Sequence, residues 1–93
     1  MNAILTWNAN TETDLAGYKL YKAIDAQTPV VIATIQKGTQ TYTDTLADGE
    51  YTVTYTLSAI DKTGHESLKN PSVWKVIDTN PPLAPTGLDL VLQ

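Results

Sequence analysis

The segment that most constrains the fold is residues 51–60, where apolar and hydroxylated side chains alternate over ten positions. The apolar set is Val53, Tyr55, Leu57 and Ala59, and the hydroxylated set is Thr52, Thr54, Thr56 and Ser58. Successive side chains of a β-strand point to opposite faces, so this pattern predicts a long strand with one buried and one solvated face. The length of this strand suggests a central position, and the chain is therefore expected to fold around a sheet.

Five further segments carry strand patterns, and no segment has a helical period. They are residues 4–8, 17–23, 30–35, 40–45 and 72–78, with polar or glycine-containing turns between them. In the last segment either Val73 or Trp74 faces inward, since both are apolar. The predicted core consists of Trp7, Tyr18, Leu20, Val53, Tyr55, Leu57 and Ala59.

The last fifteen residues divide into a linker and a strand. Residues 79–85 contain three prolines, which favour an extended, semi-rigid path and exclude a helix. Residues 86–93 then predict a C-terminal strand in which leucines alternate with Asp89 and Val91. An exposed apolar strand invites pairing with a sheet edge. The predicted interface residues are Leu88, Leu90, Val91 and Leu92.

Four short motifs resemble the fibronectin type III domain, in particular its bacterial and phage members. They are Leu5-Thr6-Trp7, the segment DLAGYKLY at 14–21, the segment DGEY at 48–51 and the segment AIDKTGHES at 59–67. The segment PLAPTGL at 82–88 resembles the opening of such a domain. The resemblance covers nearly the whole chain and implies an all-β, seven-strand immunoglobulin-like β-sandwich.

In this resemblance the first strand of the fold lies at the C-terminal end of the chain. We therefore expect residues 1–78 to form a sandwich that lacks its first strand, residues 79–85 to form the linker and residues 86–93 to form the completing strand. That strand either folds back onto its own sandwich or enters a neighbour's. The resemblance also implies a corner tyrosine that bonds a backbone group; of Tyr51 and Tyr55 we favour Tyr55, because it lies on the apolar face of its strand.

Charge and composition restrict the partners. The chain has 10 acidic side chains against 6 cations, all of them lysine, and a formal net charge of −4. Phosphate binding needs clustered cations, so neither nucleic acid nor an acidic membrane is an expected partner. The chain has no cysteine and one histidine, and we expect no metal and no other cofactor. No leader pattern precedes the first strand.

Side chains with catalytic or ligand-binding chemistry are few. Asp61, His65 and Ser67 share one short turn, where a catalytic triad is not expected to align. Glu12 and Asp14 lack the spacing of a calcium loop. Three aromatic residues are candidates for stacking on sugars, although core packing explains most of them: Tyr21, Tyr42 and Trp74. No enzymatic activity is expected.

The expected function is structural. The chain resembles a free-standing module of the bacterial or phage type, and we expect a virion component, either a capsid decoration or a tail subunit, that forms homo-oligomers or binds other virion proteins through its terminal strand. The alternative is an accessory carbohydrate- or protein-binding module of a secreted bacterial enzyme, which would be extracellular.

Overall fold

The computed structural model describes residues 1–69 and 72–93, and these contain six β-strands. The strands are β1 (Asn2–Thr6), β2 (Leu15–Ile24), β3 (Val30–Gln36), β4 (Thr41–Thr45), β5 (Glu50–Asp61) and β6 (Ser72–Asp78). No helix occurs among the described residues. The all-β prediction is therefore confirmed, and each strand lies within about two residues of its predicted bounds.

The strands form two sheets in which every pairing is antiparallel. β1 pairs with β4 in a two-stranded sheet, and the other four strands follow the order β3-β2-β5-β6. The side chains of the two sheets pack against each other: the rings of Trp7 and Tyr18 lie edge to face with centroids 5.5 Å apart. The architecture is that of a β-sandwich. The long strand β5 lies in the interior of its sheet, as its length suggested.

The core lies between the sheets and is built mainly from β2 and β5. Tyr18, Leu20, Val53 and Tyr55 are buried, as predicted. Trp7, Leu57 and Ala59 pack against this core but remain partly exposed. The sequence reasoning missed several further buried residues: Leu15, Ile35, Leu46 and Ile77.

The register of β6 decides which of its apolar side chains face the core. Val73 lies opposite Tyr55 and Trp74 lies opposite Thr54. Directly opposite residues of an antiparallel pair share a face. Val73 therefore faces inward, and Trp74 lies on the outer face of the sheet.

Gly17 permits a close approach of β2 to β3. A Cβ atom built at this position would lie 2.1 Å from the carbonyl oxygen of Ile35, which is far inside van der Waals contact. The oxygen belongs to the backbone of a paired strand and cannot move away without breaking the sheet. Any side chain at position 17 would therefore separate the two strands.

The expectation that the Tyr55 hydroxyl bonds a backbone group was wrong. The hydroxyl of Tyr51 donates to the backbone carbonyl of Ala47 at 2.7 Å, four residues upstream. The hydroxyl of Tyr55 instead donates to the Asp44 carboxylate at 2.6 Å. Tyr55 does lie on the core face, but that position directs its hydroxyl towards the opposite sheet, where a side chain and not a turn is within reach.

The C-terminal segment does not join either sheet of its own chain. Residues 79–93 contain no strand, and residues 80–93 are exposed. The chain extends to 82 Å along its longest axis and has a radius of gyration of 20.3 Å, against about 12 Å for a compact chain of this length. The predicted strand at 86–92 is not formed in the single chain, because a strand needs a partner for its backbone groups.

Candidate interaction site

An apolar groove runs between the free edge of β1 and the strand β6. Val73 faces the core from β6, yet half of its surface is exposed. The groove encloses a cavity of about 390 Å³. Its lining includes Met1, Ala3, Ile4, Leu46, Val53, Tyr55, Val73 and Ile77. Core side chains of both sheets are thus reached by solvent on this side of the sandwich.

The backbone of β1 presents unpaired hydrogen-bonding groups to this groove. The Trp7 amide donates to the carbonyl of Gln40, and the Met1 carbonyl accepts from the Leu46 amide. Backbone groups of an antiparallel pair alternate between the partner and the opposite side. Ile4 and Thr6 therefore direct their N–H and C=O groups away from β4, along the free edge, where a further strand would bind.

A second cavity, of about 550 Å³, lies at the other end of β1. It is lined by Thr6 to Asn8 and by residues 57–59 of β5, a part of β5 that β6 does not cover. The Nε1 atom of Trp7 is buried there and has no hydrogen-bond partner among the described residues. A buried N–H without an acceptor is energetically costly.

A polar cluster joins the two sheets elsewhere in the sandwich. The Lys22 Nζ atom lies 2.7 Å from the Asp44 carboxylate, which also accepts a hydrogen bond from Tyr55. Burial alone would raise the pKa of Asp44, but the hydrogen bonds from Lys22 and Tyr55 outweigh it and lower the pKa. Burial, and then the bond to Asp44, raise the pKa of Tyr55. This cluster links β4 to β2 and β5 without any further element.

The predicted interface residues are displayed on the C-terminal segment. Leu88 is 97% exposed, and Leu90, Val91 and Leu92 are also largely exposed. The start of the linker is bonded to the turn before β5. The Thr79 amide donates to the Gly49 carbonyl at 3.0 Å, and the Gly49 amide donates to Thr79 Oγ1 at 2.7 Å. The structure thus places the apolar segment and the apolar groove on one chain, with no contact between them.

The turn at 61–67 is held by its own hydrogen bonds. The Asp61 carboxylate accepts bonds from the amides of His65 and Thr63 and from the Thr63 hydroxyl, each at 2.9 Å. These bonds, that from the His65 amide first, lower the pKa of Asp61 to about 2. The hydroxyl of Ser67 donates to the Leu68 carbonyl and accepts from the Ala59 amide. The turn thus brings Asp61 and His65 together, while the Ser67 hydroxyl bonds backbone groups and not the His65 ring.

The outer face of β2 is covered by the same region of the chain. The hydroxyls of Tyr21 and Ser58 both donate to the Glu66 carboxylate, and Lys69 lies 4.7 Å above the Tyr21 ring. The bond to Glu66 raises the pKa of Tyr21, while the bonds from Ser58 and then Tyr21 lower that of Glu66. This packing buries an aromatic ring that the sequence offered as a candidate for stacking on sugars.

The three aromatic candidates for sugar stacking do not form one platform. Tyr21 is buried under Lys69, and Tyr42 is half-buried and packs against the core. Trp74 is exposed on the outer face of β6. Around Glu12 and Asp14, as elsewhere in residues 1–69 and 72–93, no group of three acidic, histidine or cysteine side chains is arranged to hold a metal ion.

Comparison of the chain with protein-family models, with curated proteins and with solved structures finds no match. Within the described part of the chain there is also no helix of the length and apolarity needed to span a membrane.

The sequence reasoning expected a sandwich without its first strand, and therefore an open sheet edge, but it did not name the residues that line that edge. The leucine alternation at 88, 90 and 92 predicted the apolar segment. The groove depends on how β1 and β6 sit across the sandwich, which no local pattern encodes. One signal was available: Met1, Ile4 and Val73 are more apolar than a solvated edge requires.

Proposed function

We propose that this chain is a non-enzymatic structural module that assembles with other protein subunits through its C-terminal segment, residues 86–93. The observation that carries the proposal is the coexistence of an uncovered core groove beside β1 with an unpaired apolar segment in the same chain. Large exposed apolar surfaces mark interaction sites in soluble proteins. Each of the two surfaces would be stabilised by being covered.

The finer fold assignment belongs to this proposal. A fibronectin type III sandwich of seven strands would result if residues 86–92 added a strand next to β1. The order β3-β2-β5-β6 and the pair β1-β4 are compatible with such a fold lacking its first strand. The bond from Tyr51 to Ala47, at the turn before β5, agrees with the corner tyrosine that the resemblance implies.

We further propose that the assembly belongs to a virion, as a capsid decoration or tail subunit. The support is the resemblance of the motifs at 14–21 and 59–67 to bacterial and phage domains, together with a contact that every copy could repeat. The acidic surface of the chain agrees with protein rather than nucleic acid as the partner.

The experiment compares the full chain with a chain ending at Ala84, by light scattering coupled to gel filtration over a range of concentrations. We expect the full chain to assemble and the shortened chain to remain monomeric and folded. Leu90→Ser should weaken assembly, whereas Leu83→Ser, which changes an equally exposed leucine in the linker, should not. Assembly of the shortened chain, or a full chain that stays monomeric at every concentration, would contradict the proposal.

A further inference from the structure

We propose that the occupant of the groove is the C-terminal segment of a second copy of this chain, bound antiparallel to β1 with Leu88, Leu90 and Leu92 opposite Trp7, Leu5 and Ala3. This inference rests on the proposed function and adds the partner, the direction and the register.

The direction follows from the backbone. Antiparallel pairing is slightly more stable per residue than parallel pairing, whose hydrogen bonds are slanted, and every strand pairing described in this sandwich is antiparallel. An antiparallel strand must enter at the Trp7 end of β1 and leave at the Asn2 end. The chain's own tail begins at the Asn2 end, where Thr79 is bonded to Gly49 and Asp78 lies opposite Glu50.

The linker favours a second copy over the chain's own tail. To enter at the Trp7 end, the tail would have to reverse direction and run back along the sandwich within residues 79–85. Residues 79–85 reach roughly 25 Å when fully extended, at about 3.3–3.6 Å per residue, and this length would have to cover both the reversal and the run along the sandwich. Three prolines in this stretch hold it extended and oppose the sharp reversal. A neighbouring copy can approach from the Trp7 end with no reversal.

The register follows from the side chains. Ala3, Leu5 and Trp7 are the inward-facing residues of β1 that pack against the core. Three leucines at the same spacing of two match them, and a shift by two positions in either direction would leave Trp7 or Ala3 without a leucine opposite it. In this register Val91 lies opposite Ile4, which is 72% exposed on the outer face.

The hydrogen-bonding groups agree with the same register. Ile4 and Thr6 carry the free backbone groups, and Val91 and Asp89 would face them. Neither tail residue is a proline, so each can donate its amide. Each copy then gives its tail to one neighbour and its groove to another, which is a head-to-tail contact.

Cysteine pairing tests the register, because the chain has no cysteine of its own. Four single variants are made at exposed positions: Ile4→Cys, Thr6→Cys, Asp89→Cys and Val91→Cys. They are mixed in pairs, oxidised and separated on non-reducing gels. Opposite residues of a hydrogen-bonded antiparallel pair lie about 5.5 Å apart, within disulfide range. A shift of two residues adds about 6.8 Å along the strand and prevents the bond.

We expect disulfide cross-links between positions 4 and 91 and between positions 6 and 89. The swapped mixtures, 4 with 89 and 6 with 91, should give only background cross-linking. The reverse pattern would show a parallel strand and would overturn the direction. Absence of all four cross-links in a chain that assembles through its tail would overturn the groove as the binding site and leave the proposed function standing. If the unsubstituted chain shows no assembly by light scattering, both this inference and the proposed function are overturned.

Discussion

The two strands of the small sheet, β1 and β4, meet the large sheet in different ways. β4 is tied across the sandwich by Asp44, which bonds Lys22 and Tyr55. β1 contributes Leu5 and Trp7 to the core but leaves a cavity towards β6. On the β4 side the chain's own side chains thus connect the two sheets, whereas on the β1 side part of the core remains open to solvent. Val73 shows this difference, because it faces the core and yet remains half exposed.

The largest effect is expected in the closed centre of the large sheet. Leu20 is 2% exposed between β3 and β5. Leu20→Ala removes most of a buried side chain and leaves a cavity, which should lower the free energy of unfolding by about 2–5 kcal/mol. Urea unfolding of the chain ending at Ala84 measures this without interference from assembly. A loss below about 1 kcal/mol would mean that the centre is not closed.

The next effect concerns the polar closure at β4. Asp44→Asn weakens the bonds to Lys22 and Tyr55 and should cost roughly 1–3 kcal/mol at pH 7. Asp48→Asn removes the same charge from an exposed turn and serves as the control. Chemical denaturation at pH 7 compares the two variants.

The same cluster predicts a pH dependence. The pKa of Asp44 is lowered in the folded chain, so its contribution to stability is fully present above the unfolded pKa of about 3.9 and is lost as the pH falls through the lower folded pKa. Asp44→Asn should therefore reduce the slope of stability against pH below about pH 4. An unchanged slope would place the acid sensitivity elsewhere, for example at Asp61 or Glu66, whose pKa values are also lowered.

Leu57 offers the same side chain as Leu20 on the open side. It lies directly opposite Leu20 on the same face of the sheet but is only half-buried, in the cavity beside Trp7. Leu57→Ala should cost less than Leu20→Ala in the chain ending at Ala84, at the low end of about 2–5 kcal/mol. The difference between the costs of Leu57→Ala and Leu20→Ala should narrow in the assembled full chain, where Leu88 of a neighbour would lie opposite Trp7 beside this cavity. Thermal melting at low and high protein concentration distinguishes the two states.

The smallest effect on stability, and the sharpest on assembly, is expected at β6. Val73→Ser changes a residue that faces the groove, and Val31→Ser changes one on β3, opposite Tyr21 and outside the groove; they are 50% and 47% exposed. Both substitutions should alter stability by about 0.5 kcal/mol or less, as exposed sites usually do. Only Val73→Ser should weaken assembly in light scattering. Equal loss in both variants would mean that assembly does not depend on the groove.

Local patterns were sufficient for the strands and insufficient for what lies between them. The alternation at 51–60 predicted β5 because the period of a strand is written in its own residues. Leu46 was read as part of a turn, although its amide binds Met1 and its side chain is buried. Tyr21 was a candidate for stacking on sugars, and no local pattern showed that Glu66 and Lys69, which are distant in sequence, would cover its ring. Non-local contacts of this kind depend on the packing of whole elements.

The same limit applies to the candidate site. The leucine segment at 88–92 was recognisable from sequence, and its lack of a partner in the single chain became visible only with the fold. Tyr51 and Tyr55 could not be separated by pattern, since both lie on one strand and differ only in what their hydroxyls reach across the molecule.

The alternation of backbone groups along β1 has a consequence for how its amide hydrogens exchange with deuterium. The amides of Ala3, Leu5 and Trp7 point into the pairing with β4, while those of Ile4 and Thr6 point to the free edge. In isolated chains the strand should therefore label at every second position, slow and fast in turn. Occupation of the edge would slow the fast positions and leave the others as they were, so that isotope uptake at two amides records whether a neighbouring strand is in place.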